Sequence, residues 1–165
     1  MLDTNNGTNE TNEINREEKP NYVLGALGAL VGALIGGTIW AIVYHMGYFA
    51  SWAGAVTGFL AMTGFNLLGG KGGKESKARI VIIVGIAFLG VILGQIAGDI
   101  LDVRLWMANG GIEGVVVDES LMSTYFSFLE TYSGYVLRNL GIGLAFAAGG
   151  LSPMINDVKR AFNIK

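Results

Sequence analysis

From Tyr22 to Gly70 the chain runs for 49 residues with one histidine and, tyrosine apart, no other ionisable side chain. Lys71, Lys74, Lys77 and Arg79 then follow within nine residues. A helix needs about 20 predominantly apolar residues to cross a hydrocarbon layer about 30 Å thick. The run is long enough to cross twice, and the basic cluster marks where it returns. A chain of this kind reads as a polytopic membrane protein.

Composition supports that reading and closes several others. Only 15% of the 165 residues are charged, against about 25% in soluble domains. Glycine is abundant at 26 residues, but there are two prolines and no three-residue period, so the chain is not collagen-like. With no cysteine, disulfides, thiolate metal sites, cysteine nucleophiles and lipidated cysteines are excluded. A single histidine argues against a histidine-based metal cluster, and no cofactor is expected. Net charge is −2 with no basic stripe, which gives no footing for nucleic acid. The length suits one small all-α bundle with short loops.

Four spans are expected, at about 23–44, 49–68, 80–100 and 134–153. His45-Met-Gly-Tyr48 would close a tight hairpin between the first two. Residues 1–21 are polar and acidic, unlike the basic start of a signal peptide, and read as a disordered cytoplasmic tail. The Asn6 and Asn9 glycosylation patterns in it read as chance. The membrane domain would occupy 22–155, and 156–165 would form a basic cytoplasmic tail. A polar stretch is expected from Asp102 to about Glu119, with a turn at Asn109-Gly-Gly. Apolar residues at 121, 125, 128, 129 and 132 have helical spacing. They predict an amphipathic helix outside, lying on the membrane or extending span 4. That last span is the weakest, since Arg138 and Asn139 fall in its first turns.

Orientation follows from lysine and arginine. With four spans, nine of these residues lie on one side: Arg16, Lys19, Lys71, Lys74, Lys77, Arg79, Lys159, Arg160 and Lys165. Only Arg104 and Arg138 lie on the other. Both termini are therefore expected inside. Trp40, Tyr44, Tyr48, Trp52, Trp106, Tyr125, Tyr132 and Tyr135 would form an aromatic belt at the outer interface.

Gly28, Gly32 and Gly36 make a four-residue glycine repeat in span 1. Gly90, Gly94 and Gly98 repeat it in span 3, and Gly54 and Gly58 give a shorter version in span 2. Such spacing puts the glycines on one helix face, where backbones approach closely and dispersion drives association in lipid. These glycine zippers serve either packing within one bundle or contact with another protomer.

One polar group stands out. Gln95, Asp99 and Asp102 share a face of span 3, while Arg138 and His45 should sit at similar depth. Ionisable groups in a membrane are costly, and are usually paired or functional. The group reads either as an outward-facing site for a cation, proton or polar ligand, or as an Asp99–Arg138 pair with Asp102 in water. The run Gly69 to Ser76 departs from a phosphate-binding loop, because Leu68 and Glu75 stand where glycine and Ser/Thr are needed. It reads as a basic cytoplasmic loop (Lys71, Lys74, Lys77, Arg79) near anionic lipid. His45 has no nucleophile motif beside it, so no enzyme activity is expected.

The run from Asn21 through Gly36, then Trp40, Gly47-Tyr-Phe-Ala50, Gly54, Gly58-Phe-Leu-Ala61 and Leu68-Gly-Gly-Lys71, resembles a group of small glycine-zipper membrane proteins of Gram-positive bacteria. The resemblance is clearest over 21–71. It implies a bacterial cytoplasmic membrane and about four helices, and it implies no activity. Two functions stand side by side. One is a small oligomeric protein that forms or contributes to a path for ions or small solutes. The other is a non-catalytic accessory or regulatory subunit of a larger membrane complex.

Overall fold

The structure is a computed structural model that describes residues 21–46, 51–70, 72, 76–111, 113–117 and 120–164. Every regular element among them is helical: α1 (Tyr22–His45), α2 (Ser51–Gly69), α3 (Lys77–Ala108), α4 (Leu121–Gly150), a 3-10 turn (Ser152–Met154) and α5 (Ile155–Phe162). Two of the helices, α1 and α3, are long and apolar enough to cross a membrane. The tail expected over 1–21 lies outside the described residues except for Asn21. Lys71, Lys74 and most of the first hairpin connection also lie outside them.

Asn21 is the cap of α1 rather than the end of a tail. Its Oδ1 accepts from Leu24 N at 3.1 Å, satisfying one of the donors a helix start leaves open. Its own N–H donates to Gly69 O at 3.0 Å, which ties the start of α1 to the end of α2.

The buried face of α1 is made of Gly25, Gly28, Ala29, Gly32, Ala33, Gly36, Gly37, Trp40 and Ala41. All but Trp40 are small. The large aliphatics Val23, Leu27, Val31, Leu34, Ile35 and Ile42 point outward. Small residues inside let the helices meet backbone to backbone. A Cβ on Gly28 would run into Gly64 O, one on Gly32 into Leu60 O, and one on Gly36 into Thr57. α1 thus lies along α2. On its other flank it lies along α3, where a Cβ on Gly37 would come 2.7 Å from Gly90 O. α2 in turn packs on α4: Gly54 against Gly143, and Gly58 against Ala147. The glycine faces meet partners within this one chain.

Three apolar layers stack along the helix axes. Phe65, Ile80, Ile83, Leu151 and Met154 anchor the layer near the start of α1 and the end of α4. Trp40, Ala53, Val91 and Ala147 fill the middle. Val103, Tyr125 and Phe128 hold the far end together. Trp40 is only 2% exposed, so it is a core residue and not part of an interfacial belt. Its indole lies where a Cβ on Gly143 would otherwise be.

The far end differs from the sequence expectation. α3 does not stop near residue 100 but continues to Ala108, so the expected polar stretch is helical in its first part. α4 begins at Leu121, the second of the two placements expected for the helix over 121–132. The segment 121–132 is an extension of α4 stacked on the extension of α3, with Trp106 and Phe128 rings 5.3 Å apart. Val103 and Phe128 seal that contact, and their burial carries α3 past its expected boundary. The chain turns between them at Gly110 and Gly111, whose φ values of 96° and 90° suit glycine. The returning strand of loop is pinned to α4: Thr131 Oγ1 donates to Gly114 O and Tyr132 Oη to Glu113 O, both at 3.0 Å. α4 bends at Tyr132, where φ −113° and ψ 19° leave the helical region.

At the opposite end the expected basic tail is the helix α5. Arg79 does not sit in a loop either. It is 2% exposed on α3, donating to Asn66 Oδ1 of α2 at 2.7 Å and to Asp157 Oδ2 of α5 at 3.3 Å. A buried guanidinium demands such partners. Asn66 and Asp157 supply them, and α5 is held in place as a result.

Candidate functional site

The inward stripe of α1 runs Gly37, Trp40 and Ala41, and the next residue in that register is Tyr44. The stripe of α3 runs Val91, Gly94, Gln95, Gly98, Asp99 and Val103. Where the two stripes meet at the far end, small apolar side chains give way to polar ones. Gly98 makes this possible, since a Cβ there would stand 2.9 Å from the Tyr44 ring. The phenol of Tyr44 therefore reaches α3 and lies beside Asp99, Gln95 and Tyr135 of α4.

Gln95 and Asp99 are one helical turn apart and almost fully buried, at 2% and 1% exposed. Gln95 Nε2 donates to Asp99 Oδ1 at 2.8 Å. Asp99 Oδ2 and Gln95 Oε1 meet no hydrogen-bond partner among the described residues. Buried acceptors left without a hydrogen bond are costly. One turn further along α3, Asp102 Oδ1 lies 2.7 Å from His45 Nδ1, with that N–H donating in the tautomer the contact requires. This pair is partly open to solvent.

Of the five polar residues expected to act together, the structure thus brings Gln95 to Asp99 and His45 to Asp102. It does not bring Arg138 to Asp99. Arg138 is exposed, its guanidinium stacked 5.4 Å from the Tyr135 ring centre. The reason is register. Asn139, Gly143 and Ala147 form the buried face of α4, and Arg138 precedes that face by one residue, so it turns away. The expected placing of Asp102 in water is likewise replaced by its pairing with His45.

Of the tyrosines expected in an interfacial belt, Tyr44 and Tyr125 lie near Asp99, and Tyr135 lies beside Tyr44. Tyr125 is 8% exposed, and burial, then the nearness of Asp99, pushes its phenol up from the usual value. For Tyr44 a signal was present: it continues the small-residue stripe of α1 with helical spacing. For Tyr125 and Tyr135 the spacing along α4 is broken by the bend at Tyr132, and no sequence period spans it.

Among the described residues no group of three His, Asp or Glu side chains is placed to hold a metal ion. The chemistry on offer is that of one buried carboxyl group, one amide and neighbouring phenols. Comparison with family models, with curated proteins and with solved structures finds no match to this chain.

Proposed function

We propose that the chain is a multi-pass integral membrane protein. Its four spans would be α1, α2, α3 to about Ile100, and α4 beyond its bend. Both termini would face the cytoplasm, and the α3/α4 extension would stand outside. The inside-out burial supports this. In the apolar windows of α1 and α3 only 44% and 39% of residues are buried, where the core helix of a soluble protein would be mostly covered. The outward residues are large aliphatics, which lipid accepts and water does not. The glycine-zipper faces supply the close packing that holds helices together in lipid. At about 48 Å by helix rise, α3 is longer than a hydrocarbon layer, which agrees with its last turns standing in the α3/α4 extension.

Within that frame the geometry best supports a non-catalytic accessory or regulatory subunit. One observation carries this reading: the middle of the fold is solid. Where a Cβ finds no room between α1, α2 and α3, a solute finds none, and Trp40, Val91, Ala53 and Ala147 occupy the space among the four helices. The glycine faces that would have joined protomers meet partners in the same chain, so a path between copies of a homo-oligomer needs some other surface. The second reading, a contribution to ion or small-solute transport, is favoured by the unpartnered acceptors of Asp99 and Gln95.

Reconstitution into liposomes tests the choice. The accessory reading expects dye-reported proton and monovalent-cation flux equal to that of empty vesicles, and a monomer mass in detergent. Flux that Asp99→Asn abolishes would instead establish transport. The lack of cysteine makes topology directly readable. Ser123→Cys should react with an impermeant maleimide from outside, and Asn163→Cys only after the membrane is opened.

A further inference from the structure

The Asp99 carboxyl group is 1% exposed, and it has no counter-cation among the described residues. Each basic group near it is engaged elsewhere or turned away. His45 from α1 is held by Asp102, and Arg138 from α4 stacks on Tyr135. What does surround Asp99 is neutral or acidic: Tyr44 from α1, Gln95 and Asp102 on α3 itself, and Tyr125 from α4, with Tyr135 beside Tyr44. One of its oxygens accepts from Gln95 Nε2, while the other, Oδ2, makes no close hydrogen bond, the Tyr44 phenol being the neighbouring polar group. A carboxylate buried there without a counter-cation is costly, and a bound proton relieves that cost.

We infer that Asp99 is a proton-binding site: Oδ2 carries a proton in the folded protein and exchanges it with the medium at the α3/α4 end. The exchange is a plain transfer. Hydronium gives its proton to Oδ2 and leaves as water, and the reverse step returns it. A bound proton converts Oδ2 from an unpaired acceptor into an O–H donor, for which Gln95 Oε1, the other unpartnered acceptor, and the Tyr44 oxygen are the neighbouring candidates. Na⁺ is the competing occupant. It asks for several converging oxygens, as hard cations do, and the site offers one carboxyl oxygen, one amide oxygen and a phenol. The proton needs only the carboxyl group. The inference depends on the membrane reading solely for the side from which protons arrive; the binding is a property of the packed helices.

The test is difference infrared spectroscopy on the full chain in nanodiscs, read at the carbonyl stretch of neutral carboxylic acids. We expect one such band in the wild type, lost completely in Asp99→Asn, retained in Asp102→Asn, and unchanged when Na⁺ replaces a large organic cation. Should Asp99→Asn not fold, ¹³C-aspartate labelling and an alkaline titration of the wild type identify the same band. A spectrum with only ionised aspartate, or a band that survives Asp99→Asn, overturns the inference. A band that Na⁺ removes also overturns it and assigns the site to the metal cation. In sealed liposomes the band should follow external pH alone. If it follows internal pH instead, the proton site stands and the proposed orientation fails.

Discussion

Gly28 and Gly64 exclude each other's side chains: a Cβ on either would run into the carbonyl oxygen of the other. The two helices are as close as backbones permit at this point, and the contact has no slack. Gly28→Leu or Gly64→Leu must push α1 and α2 apart along their whole length. Overpacking of a tight contact typically costs about 1–3 kcal/mol, and separation of the helices here adds lost contacts at Gly32 and Gly36. The expected result is a large fall in the midpoint of denaturant unfolding.

Gly85 supplies the control. A Cβ there meets nothing within 4 Å, although it is also a helical glycine in a span. Gly85→Ala should be neutral or stabilising by about 0.5–1 kcal/mol, the ordinary gain from replacing glycine in a helix interior. If Gly28→Ala and Gly85→Ala behave alike in the same unfolding assay, the α1–α2 contact is not as described.

Trp40 offers an optical readout of the middle layer. Its indole rests on the backbone at Gly143, so Gly143→Val must displace it. In a Trp52→Phe, Trp106→Phe background the emission should shift to the red and become quenchable, with about 1–3 kcal/mol of stability lost. An unshifted spectrum would place Trp40 elsewhere.

Arg79 holds α5 through Asp157 and α2 through Asn66. Asp157→Ala removes one arm of this clasp. A hydrogen bond to a charged group contributes about 1.5–3 kcal/mol, and Asp157 is partly exposed, so the lower figure applies. Hydrogen exchange should rise over Ile155–Phe162 while the α1–α2 contact stays protected.

The His45–Asp102 pair, partly exposed as it is, should contribute much less. A double-mutant cycle with His45→Gln and Asp102→Asn is expected to return a coupling of about 0–1 kcal/mol. A larger value would make this pair part of the buried network at Asp99.

The helical character and two membrane-competent helices were legible in the sequence, because apolar length and the absence of charge set them directly. So were the inward faces of α1 and α3, where glycine and alanine recur at helical spacing. The end of α3 was not. α3 extends past its expected limit because Val103, Tyr125 and Phe128 bury one another; the helix over 121–132 was legible from its own spacing, but its contact with α3 was not. Arg79 read as part of a solvated basic cluster, since the partners that make its burial possible lie 13 and 78 residues away in sequence. At the candidate site, Gln95 and Asp99 were legible as neighbours on one helix turn. The exclusion of Arg138 was not, because it depends on how α4 is rotated about its own axis, which Gly143 and Ala147 decide.

The outward large residues and inward small ones of α1 reverse the usual pattern of tolerance to mutation. In a water-soluble domain the bulky side chains are locked and the small surface ones drift. Here Val31, Leu34 and Ile35 can exchange freely among aliphatics, whereas Gly28, Gly32 and Gly36, with no side chain at all, admit no substitute. The identity of this fold is written in its glycines, and a related sequence would be recognised by where it has nothing rather than by what it shares.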